Sequence, residues 1–399
     1  MEHMTPRERI LCAIRGLPTD RIAVAPDLYA MIPCRLTGKP YWDIYFNESP
    51  PLWQAFVDAA NHFDIDALSY HGTLRFVGTS RLSSHQAIER HEDHWIQHVR
   101  IKTPDGDLTQ TLFCPREDVA SYPEHLVKDF VRDFKKLRHL FSDVSSHDRD
   151  YYETQRRHMG DRGLTGMFLM PPGFQIFHFY FQGSLEAVTY AREDEPDLFE
   201  ELVHLYARRS LQELEIALDC RVDCIITGGS GSITLQSPEI WRELSLPTIR
   251  TIADRCRQAG IPCGIHSCGL ERFLVETCAA ETAIDFVNPL EIPPMGDCDM
   301  QDLLDRFGDR LTLMGNLHTI DVMLNGTEED VRARSEDLLR MARGKRFVLS
   351  TGDQCPRDTP DANIRAMVEA ARRSALSSMP STGRPPSPGF GQERKNMSI

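Results

Sequence analysis

A histidine and a cysteine two residues apart, His266 and Cys268, have the types and spacing that best fit metal chemistry. In an extended segment or a tight turn both side chains can reach one ion, and imidazole with thiolate suits zinc. A third ligand must come from elsewhere, and Asp353 and Cys355 both follow the last predicted strand. Three protein ligands would leave a fourth position open, as catalytic zinc requires. The same spacing also fits a buried cysteine beside a structural histidine, so zinc is a hypothesis here.

Residues that could act in catalysis or bind a substrate follow other predicted strands. The carboxylates of Asp353 and Glu291 are the candidates for catalysis, since such groups transfer protons, bind substrates and ligate metals. Each also fits a helix cap or a loop ion pair. Glycines after a strand can expose N–H groups to an anion, although a plain flexible loop explains them equally well. The candidate substrate-binding residues are Asp27, His71, Gly228, Gly229, Ser230, Asn316 and Phe174.

The elements that must position these residues follow from the apolar pattern. Eight short apolar runs, typical of buried parallel strands, alternate with amphipathic helical stretches. The predicted strands are Ile22–Pro26, Ala67–Tyr70, Thr165–Met170, Asp223–Thr227, Pro262–His266, Asp285–Asn288, Leu311–Met314 and Phe347–Ser350. The predicted helices are Pro51–Phe63, Tyr122–Phe141, Leu185–Asp219, Pro238–Ala259, Met300–Phe307, Glu328–Ala342 and Asn363–Ala375.

This alternation predicts an α/β fold, a (β/α)₈ TIM barrel, over residues 1–376. A doubly wound open sheet is the structural alternative. In a barrel the loops that follow the strands converge at one end, so the loops after the fifth and eighth strands can meet there. Residues 85–117 interrupt the alternation and predict a small antiparallel β insertion with a turn at 104–107. Residues 377–399 are rich in proline, glycine and serine and predict a disordered tail.

Composition and charge narrow the class of protein. Hydrophobic residues make up 41% and charged residues 26%, which is typical of a folded globular chain. The net charge of −14 argues against nucleic-acid binding. No apolar run is long enough to span a membrane, and the N-terminus has no apolar signal core. Eleven cysteines without a framework spacing indicate reduced thiols. We therefore expect a cytoplasmic enzyme.

Several motifs together resemble the uroporphyrinogen decarboxylase superfamily. The resemblance begins with residues 5–9 (TPRER) and 18–22 (PTDRI), and continues with 237–239 (SPE) and 266–269 (HSCG). It ends with Gly315 and Asn316, residues 351–353 (TGD) and residues 358–364 (DTPDANI). The superfamily has a (β/α)₈ barrel with its site at the C-terminal mouth. It includes decarboxylases and methyltransferases that use a methylated corrinoid, some of them with coenzyme M as acceptor.

The resemblance favours the methyltransferase branch. The decarboxylases carry an arginine-rich segment near the N-terminus, and the corresponding residues 27–31 (DLYAM) contain no arginine. His266 and Cys268 match the zinc-binding H-x-C of the methyltransferases, in which a later cysteine completes the site and the zinc activates an acceptor thiol. Here Asp353 stands at about the register of that cysteine, and Cys355 follows two residues later. Either residue could complete the site, or the metal could be absent, as in a relative that uses tetrahydrofolate.

The sequence therefore predicts a zinc-assisted methyltransferase that moves a methyl group between a corrinoid and a small acceptor or donor. His266, Cys268 and Cys355 are taken as the metal ligands, with Asp353 as the alternative third ligand. The corrinoid, as methylcobalamin or a relative of it, would be carried by a partner protein, because the chain lacks the D-x-H-x-x-G signature of a cobalamin domain. Family members are often dimers, so a homodimer is compatible with the resemblance. The alternatives are a metal-free decarboxylase of a smaller acid, using Asp27 or Asp353, and a non-enzymatic ligand-binding barrel.

Overall fold

Eight parallel strands form one curled sheet in the computed structural model, which describes residues 3–377. They are β1 (Ala23–Val24), β2 (Ala67–Gly72), β3 (Gly163–Phe168), β4 (Cys224–Gly228), β5 (Cys263–Ser267), β6 (Phe286–Pro289), β7 (Thr312–His318) and β8 (Phe347–Gly352). Their order in the sheet is β1-β8-β7-β6-β5-β4-β3-β2. The Asp66 N–H donates to the Val24 carbonyl at 2.8 Å, so the two outer strands also meet. The predicted TIM-barrel fold is confirmed.

Helices alternate with these strands. They are α1 (Pro6–Ile14), α2 (Met31–Thr37), α3 (Tyr41–Tyr45), α4 (Leu52–Phe63), α5 (Phe130–Leu137), α6 (Arg149–Met159), α7 (Phe174–Phe177), α8 (Ser184–Asp194), α9 (Pro196–Asp219), α10 (Pro238–Leu244), α11 (Leu246–Ala259), α12 (Arg272–Glu281), α13 (Met300–Phe307), α14 (Glu328–Met341) and α15 (Asp361–Ser377). Two predicted helices are each divided in two, because Pro196 and Pro247 lie in the first turn of a new helix, where their missing N–H costs nothing. In the described residues no helix is both long and apolar enough to cross a membrane.

Residues 77–146 carry the antiparallel additions to the barrel. A four-stranded sheet consists of Ser83–Arg90, His94–Thr103, Gly106–Pro115 and Ser121–Glu124. A second, two-stranded sheet pairs Val77–Gly78 with Val144–Ser146. The predicted helix over 122–141 is therefore wrong in its first part, where Ser121–Glu124 pairs with the strand before it. The predicted tail lies outside the described residues, apart from Ser377 at the end of α15.

Alternation along the strands separates the barrel interior from its outer face. Leu68, Ile226, Phe286 and Met314 pack with α1 in one hydrophobic cluster, which fills the end of the barrel opposite the site. Their strand neighbours pack with the outer helices in a second cluster. Because the strand period is two, each position two residues further on also faces inward, toward the C-terminal end. This register points His266 and Asn288 into the barrel.

Buried ion pairs tie the N-terminal segment to the closed end of the barrel. Arg9 is fully buried and donates to Asp20 at 2.6 Å and to Asp66 at 2.6 Å. Asp66 also accepts from Arg21 and from the Val24 N–H at 2.8 Å. The ion pairs of the TPRER and PTDRI motifs therefore hold β1 next to β2.

Candidate metal centre and active site

A cavity of about 340 Å³ opens at the C-terminal end of the barrel strands. Loops that follow β1, β3, β4, β5 and β8 contribute to its wall, together with inward-facing residues at the ends of β2, β3 and β5. The lining residues are Asp27, Tyr29, Tyr70, Phe168, Met170, Ser230, His266, Cys268, Asp353 and Gln354. The catalytic end of a TIM barrel is the expected place for such a cavity.

His266, Cys268 and Asp353 converge on one wall of this cavity. One ligand atom from each residue lies within 4.8 Å of those of the other two. The Cys268 Sγ lies 3.4 Å from the His266 Nε2. In the part of the chain that the structure describes, no other group of three histidine, cysteine or acidic residues meets this criterion. Nitrogen, sulfur and carboxylate oxygen are the donors that zinc takes in proteins, and three of them leave a fourth position open.

Asp353 reaches this group through an unusual backbone conformation. Its φ is +87°, in the left-handed region that an aspartate enters only at a cost. The Thr351 hydroxyl donates to the Asp353 carbonyl at 2.8 Å and accepts from the Asp27 N–H at 3.0 Å. The Gln354 side-chain oxygen accepts from two further N–H groups of the loop that follows β1. These contacts hold the loop after β8 in place and turn Asp353 toward the cavity.

Cys355 is not part of the group. Its side chain is fully buried, and its N–H donates to the Asp27 carbonyl at 2.9 Å. It does not line the cavity. Of the two third ligands that the sequence left open, the structure therefore brings Asp353 to His266 and Cys268, and keeps Cys355 in the packing beneath the loop.

The His266 ring is oriented by Asn288. The strand register pairs the two residues, and the Asn288 side-chain amide lies 3.1 Å from the His266 Nδ1. The same amide lies 2.7 Å from the Tyr70 hydroxyl. The Asn288 Oδ1 has no hydrogen-bond partner here, although both neighbours of its amide nitrogen can donate a hydrogen bond. A half turn of the amide would let Oδ1 accept from the Tyr70 hydroxyl and the His266 Nδ1, which leaves the His266 Nε2 free for a metal.

We expect Asn288→Ala to weaken zinc binding by about 10- to 100-fold, the usual effect of losing a partner that orients a ligating histidine. Competition with a chromophoric chelator measures this affinity. Tyr70→Phe is the matched control, because it removes only the hydroxyl on the far side of the amide and should change the affinity less. Unchanged affinity in Asn288→Ala would contradict the orienting role.

Burial governs the ionisation of the site. Burial lowers the pKa of His266, and the neighbouring Asp353 carboxylate opposes that shift. Burial and Asp353 together raise the pKa of the Cys268 thiol well above its usual value. Burial, with a smaller contribution from Asp353, raises the pKa of Asp27 to about 8. Asp27 is accordingly a mostly protonated carboxyl on the cavity wall at neutral pH.

The glycine loop supports the segment that carries His266 and Cys268. The Gly229 N–H donates to the His266 carbonyl at 2.8 Å, and the Gly231 N–H to the Cys268 carbonyl at 3.2 Å. A Cβ at Gly228 would lie 2.4 Å from the His266 carbonyl oxygen, so only glycine allows this approach. The Gly229 N–H, predicted to be open to an anion, is therefore already hydrogen-bonded. Ser230 does line the cavity, and its hydroxyl lies 3.4 Å from the Cys268 Sγ.

Four other predicted residues lie away from the cavity wall. Glu291 accepts from the Gly269 N–H, and Asn316 donates to the Leu290 carbonyl at 2.8 Å, so both brace loops. Phe174 packs against Phe199 in a hydrophobic cluster. The ring of His71 lies between Tyr29 and Phe56. None of the four lines the cavity.

Five lining residues were not among the predicted site residues. They are Tyr29, Tyr70, Phe168, Met170 and Gln354. Strand alternation could have identified two of them, since Tyr70 and Phe168 follow the inward positions Leu68 and Gly166 by two residues. The other three lie in loops, where the sequence carries no periodic signal.

Part of the chain matches a known protein family. Residues 185–374 match the family model described as uroporphyrinogen decarboxylase (URO-D). This part of the chain is a URO-D family domain. The URO-D match includes His266, Cys268 and Asp353, so the candidate metal ligands lie inside it.

Curated relatives are aligned with the chain over a limited length. The methylcobamide:CoM methyltransferase MtbA of Methanosarcina acetivorans is 27% identical over 143 residues, which is 36% of this chain and 39% of that protein. A methylated-thiol–coenzyme M methyltransferase of Methanosarcina mazei is 27% identical over 147 residues, 37% of this chain and 36% of that protein. The chain thus spans less than half the length of these relatives.

A solved structure shares the fold over nearly the whole chain. It is described as a methyltransferase from Methanosarcina mazei, and it is superposed with a TM-score of 0.65 at 16% identity. The match covers 93% of this chain and 99% of that one. It therefore establishes the common barrel well beyond the residues of the URO-D match.

Proposed function

We propose that the protein is a methyltransferase that moves a methyl group between a corrinoid and a small molecule, with a zinc ion held by His266, Cys268 and Asp353. The observation that carries this proposal is the convergence of these three side chains on one cavity wall, with ligand atoms within 4.8 Å. The names of the curated relatives, which are methyltransferases, support the reaction class.

The donor set fits zinc. A bound zinc ion would supply a Lewis acid that stabilises an acceptor thiol as its thiolate near neutral pH. The chain's own residues do the rest. His266, Cys268 and Asp353 would hold the metal, and Asn288 fixes the His266 ring. The aromatic side chains of Tyr70 and Phe168 lie beside that ring and exclude water from it.

The corrinoid is proposed to be carried by a separate protein that docks at the cavity mouth. Three exposed aromatic side chains are candidates for this contact: Tyr29, Tyr122 and Phe179. Tyr29 lines the cavity itself, and the rings of Tyr122 and Phe179 lie 6.4 Å apart. Exposed aromatic residues of this kind are typical of interaction surfaces. A cytoplasmic location and a homodimer stay predictions.

A metal-free decarboxylase is the second candidate. The protonated Asp27 carboxyl on the cavity wall favours it, because such a group can give a proton to a carbanion after carbon dioxide leaves. Against it, the described wall has no lysine or arginine to hold the carboxylate of the substrate. Release of carbon dioxide without metal or corrinoid would favour this candidate over methyl transfer.

The experiment that tests the proposal combines elemental analysis with a transfer assay. Protein purified without chelators or a histidine tag should contain about one zinc per chain, as a three-ligand site implies. With methylcobalamin as donor and a panel of small thiols, the loss of the cobalt–carbon absorbance should depend on the protein. A chain without zinc and without this activity would overturn the proposal.

The third ligand is tested by two matched substitutions. Asp353→Asn keeps the size of the side chain and tolerates a positive φ, so the loop should fold while zinc binding weakens by about 10-fold or more. Cys355→Ser is the control, and we expect it to keep its zinc because Cys355 lies outside the group. Zinc lost in Cys355→Ser and kept in Asp353→Asn would contradict the assignment. Circular dichroism verifies that both variants fold.

A further inference from the structure

The cavity wall combines aromatic rings with acidic groups and lacks fixed positive charge. Tyr29, Tyr70 and Phe168 present three rings, and Asp27 and Asp353 present two carboxyl groups. Among the described residues that line the cavity there is no lysine or arginine. A buried anion is costly unless a cation or several N–H donors pair with it.

Several neutral donors near the metal ligands are already engaged. The Tyr70 hydroxyl is hydrogen-bonded to Asn288, and the Ser230 hydroxyl is 3.4 Å from the Cys268 sulfur. The N–H groups of Gly229 and Gly231 donate to the carbonyls of His266 and Cys268. These two N–H groups of the glycine loop are therefore not available to a sulfonate, phosphate or carboxylate.

Basic side chains near this end of the barrel face elsewhere. Arg35, Arg116 and Arg357 line a separate cavity of about 70 Å³. Arg35 pairs with Asp361 at 2.6 Å, and Arg357 pairs with Glu117 at 3.2 Å. The charges of Arg35 and Arg357 are thus already paired at a different place on the surface.

A bound zinc ion would add no net positive charge to the cavity. The charges of a thiolate from Cys268 and a carboxylate from Asp353 cancel that of a zinc ion, and His266 binds as a neutral ligand. No positive charge is left for an anionic group at the far end of a substrate. Aromatic faces, by contrast, accept apolar groups and cations.

We propose that the small substrate of this site is a thiol, or its methyl thioether, that carries no anionic group. This inference rests on the proposed methyl transfer and specifies its substrate class. The substrate sulfur would lie beside His266, Cys268 and Asp353, and its uncharged or cationic remainder against Tyr29, Tyr70 and Phe168. Coenzyme M, whose sulfonate is a permanent anion, would be a poor substrate.

A series of thiols of similar size tests the substrate class. With zinc-loaded full-length protein and methylcobalamin, kcat/KM is compared for 2-mercaptoethanol, cysteamine and 2-mercaptoethanesulfonate. We expect the uncharged and cationic thiols to exceed the sulfonate by at least about 10-fold, since a buried charge without a partner is strongly disfavoured. An equal or higher value for the sulfonate would overturn the inference and leave methyl transfer intact.

A charge introduced on the wall supplies the complementary test. Met170→Lys should raise the relative kcat/KM for the sulfonate by about 10-fold, because a lysine stem replaces the thioether and brings a cation to the wall. Met170→Leu is the matched control without charge and should keep the wild-type preference. An unchanged preference in a folded Met170→Lys protein would contradict the inference.

A binding measurement distinguishes a failure of the substrate-class inference from a failure of the proposed methyl transfer. If no thiol is methylated, the proposed function fails, and isothermal titration calorimetry of the same three thiols still decides the substrate class. Tighter binding of 2-mercaptoethanol and cysteamine than of the sulfonate supports the inference, and the reverse order overturns it.

Discussion

His266→Ala is expected to lose its zinc and at least about 10³-fold of its methyl-transfer rate, while the barrel remains folded. The loss in rate corresponds to the several kcal/mol that a Lewis acid contributes to such a reaction. The reason is geometric, because His266 is one of the three proposed metal ligands, and its Nε2 lies 3.4 Å from the Cys268 sulfur. Elemental mass spectrometry and the methylcobalamin assay measure the two effects.

The fold should survive this substitution. His266 lies at the cavity end of β5, and the hydrophobic cluster that fills the barrel lies on the other side of it. His85→Ala is the matched control, since His85 is an exposed histidine of the antiparallel sheet and should keep both zinc and activity. Methyl transfer retained in a folded His266→Ala protein would remove the metal from the proposed mechanism.

The second large effect is expected at the closed end of the barrel. Asp66→Ala should lower the free energy of unfolding by about 3–5 kcal/mol, the usual cost of removing one partner from a buried ion pair. Asp66 is fully buried and accepts hydrogen bonds from Arg9, Arg21 and the Val24 N–H. Its loss leaves the buried Arg9 guanidinium with fewer partners and removes a link between β1 and β2.

Urea unfolding measures this change, with an exposed ion pair as the reference. Glu215 pairs with Arg255 on the surface at 2.6 Å, and Glu215→Ala should cost no more than about 1 kcal/mol. If Asp66→Ala and Glu215→Ala lowered the free energy of unfolding equally, the buried ion pairs of the N-terminal motifs would contribute no more to stability than an exposed pair.

The two effects concern residues with different kinds of signal in the sequence. The H-x-C spacing indicated a chemical role for His266, and the structure places His266 on the cavity wall as expected. Arg9 and Asp20 belong to motifs that carry only the family resemblance, and the structure shows that they make an ion pair at the opposite end of the barrel. A motif common to a family can therefore reflect stability at one end of a barrel and catalysis at the other.

The order of strands and helices could be predicted because it depends on local patterns. All eight predicted barrel strands overlap the observed ones, since buried parallel strands are continuous apolar runs between amphipathic helices. The His266–Cys268 spacing is local as well, and so is the alternation that turns His266 inward. Applied consistently, that alternation would also have favoured Tyr70 over its neighbour His71 as a wall residue.

The third ligand and the character of the cavity depended on contacts between distant parts of the chain. Asp353 reaches Cys268 through a backbone φ of +87°, and the Thr351 hydroxyl stabilises this conformation by donating to the Asp353 carbonyl. The same hydroxyl accepts from the Asp27 N–H. The Cys355 N–H donates to the Asp27 carbonyl. These contacts join loops more than 300 positions apart, and no spacing in the sequence encodes them. Local patterns therefore determined the barrel and the H-x-C pair. Only the closed barrel, which brings the loops after β1 and β8 together, decided that Asp353 and not Cys355 lies beside that pair.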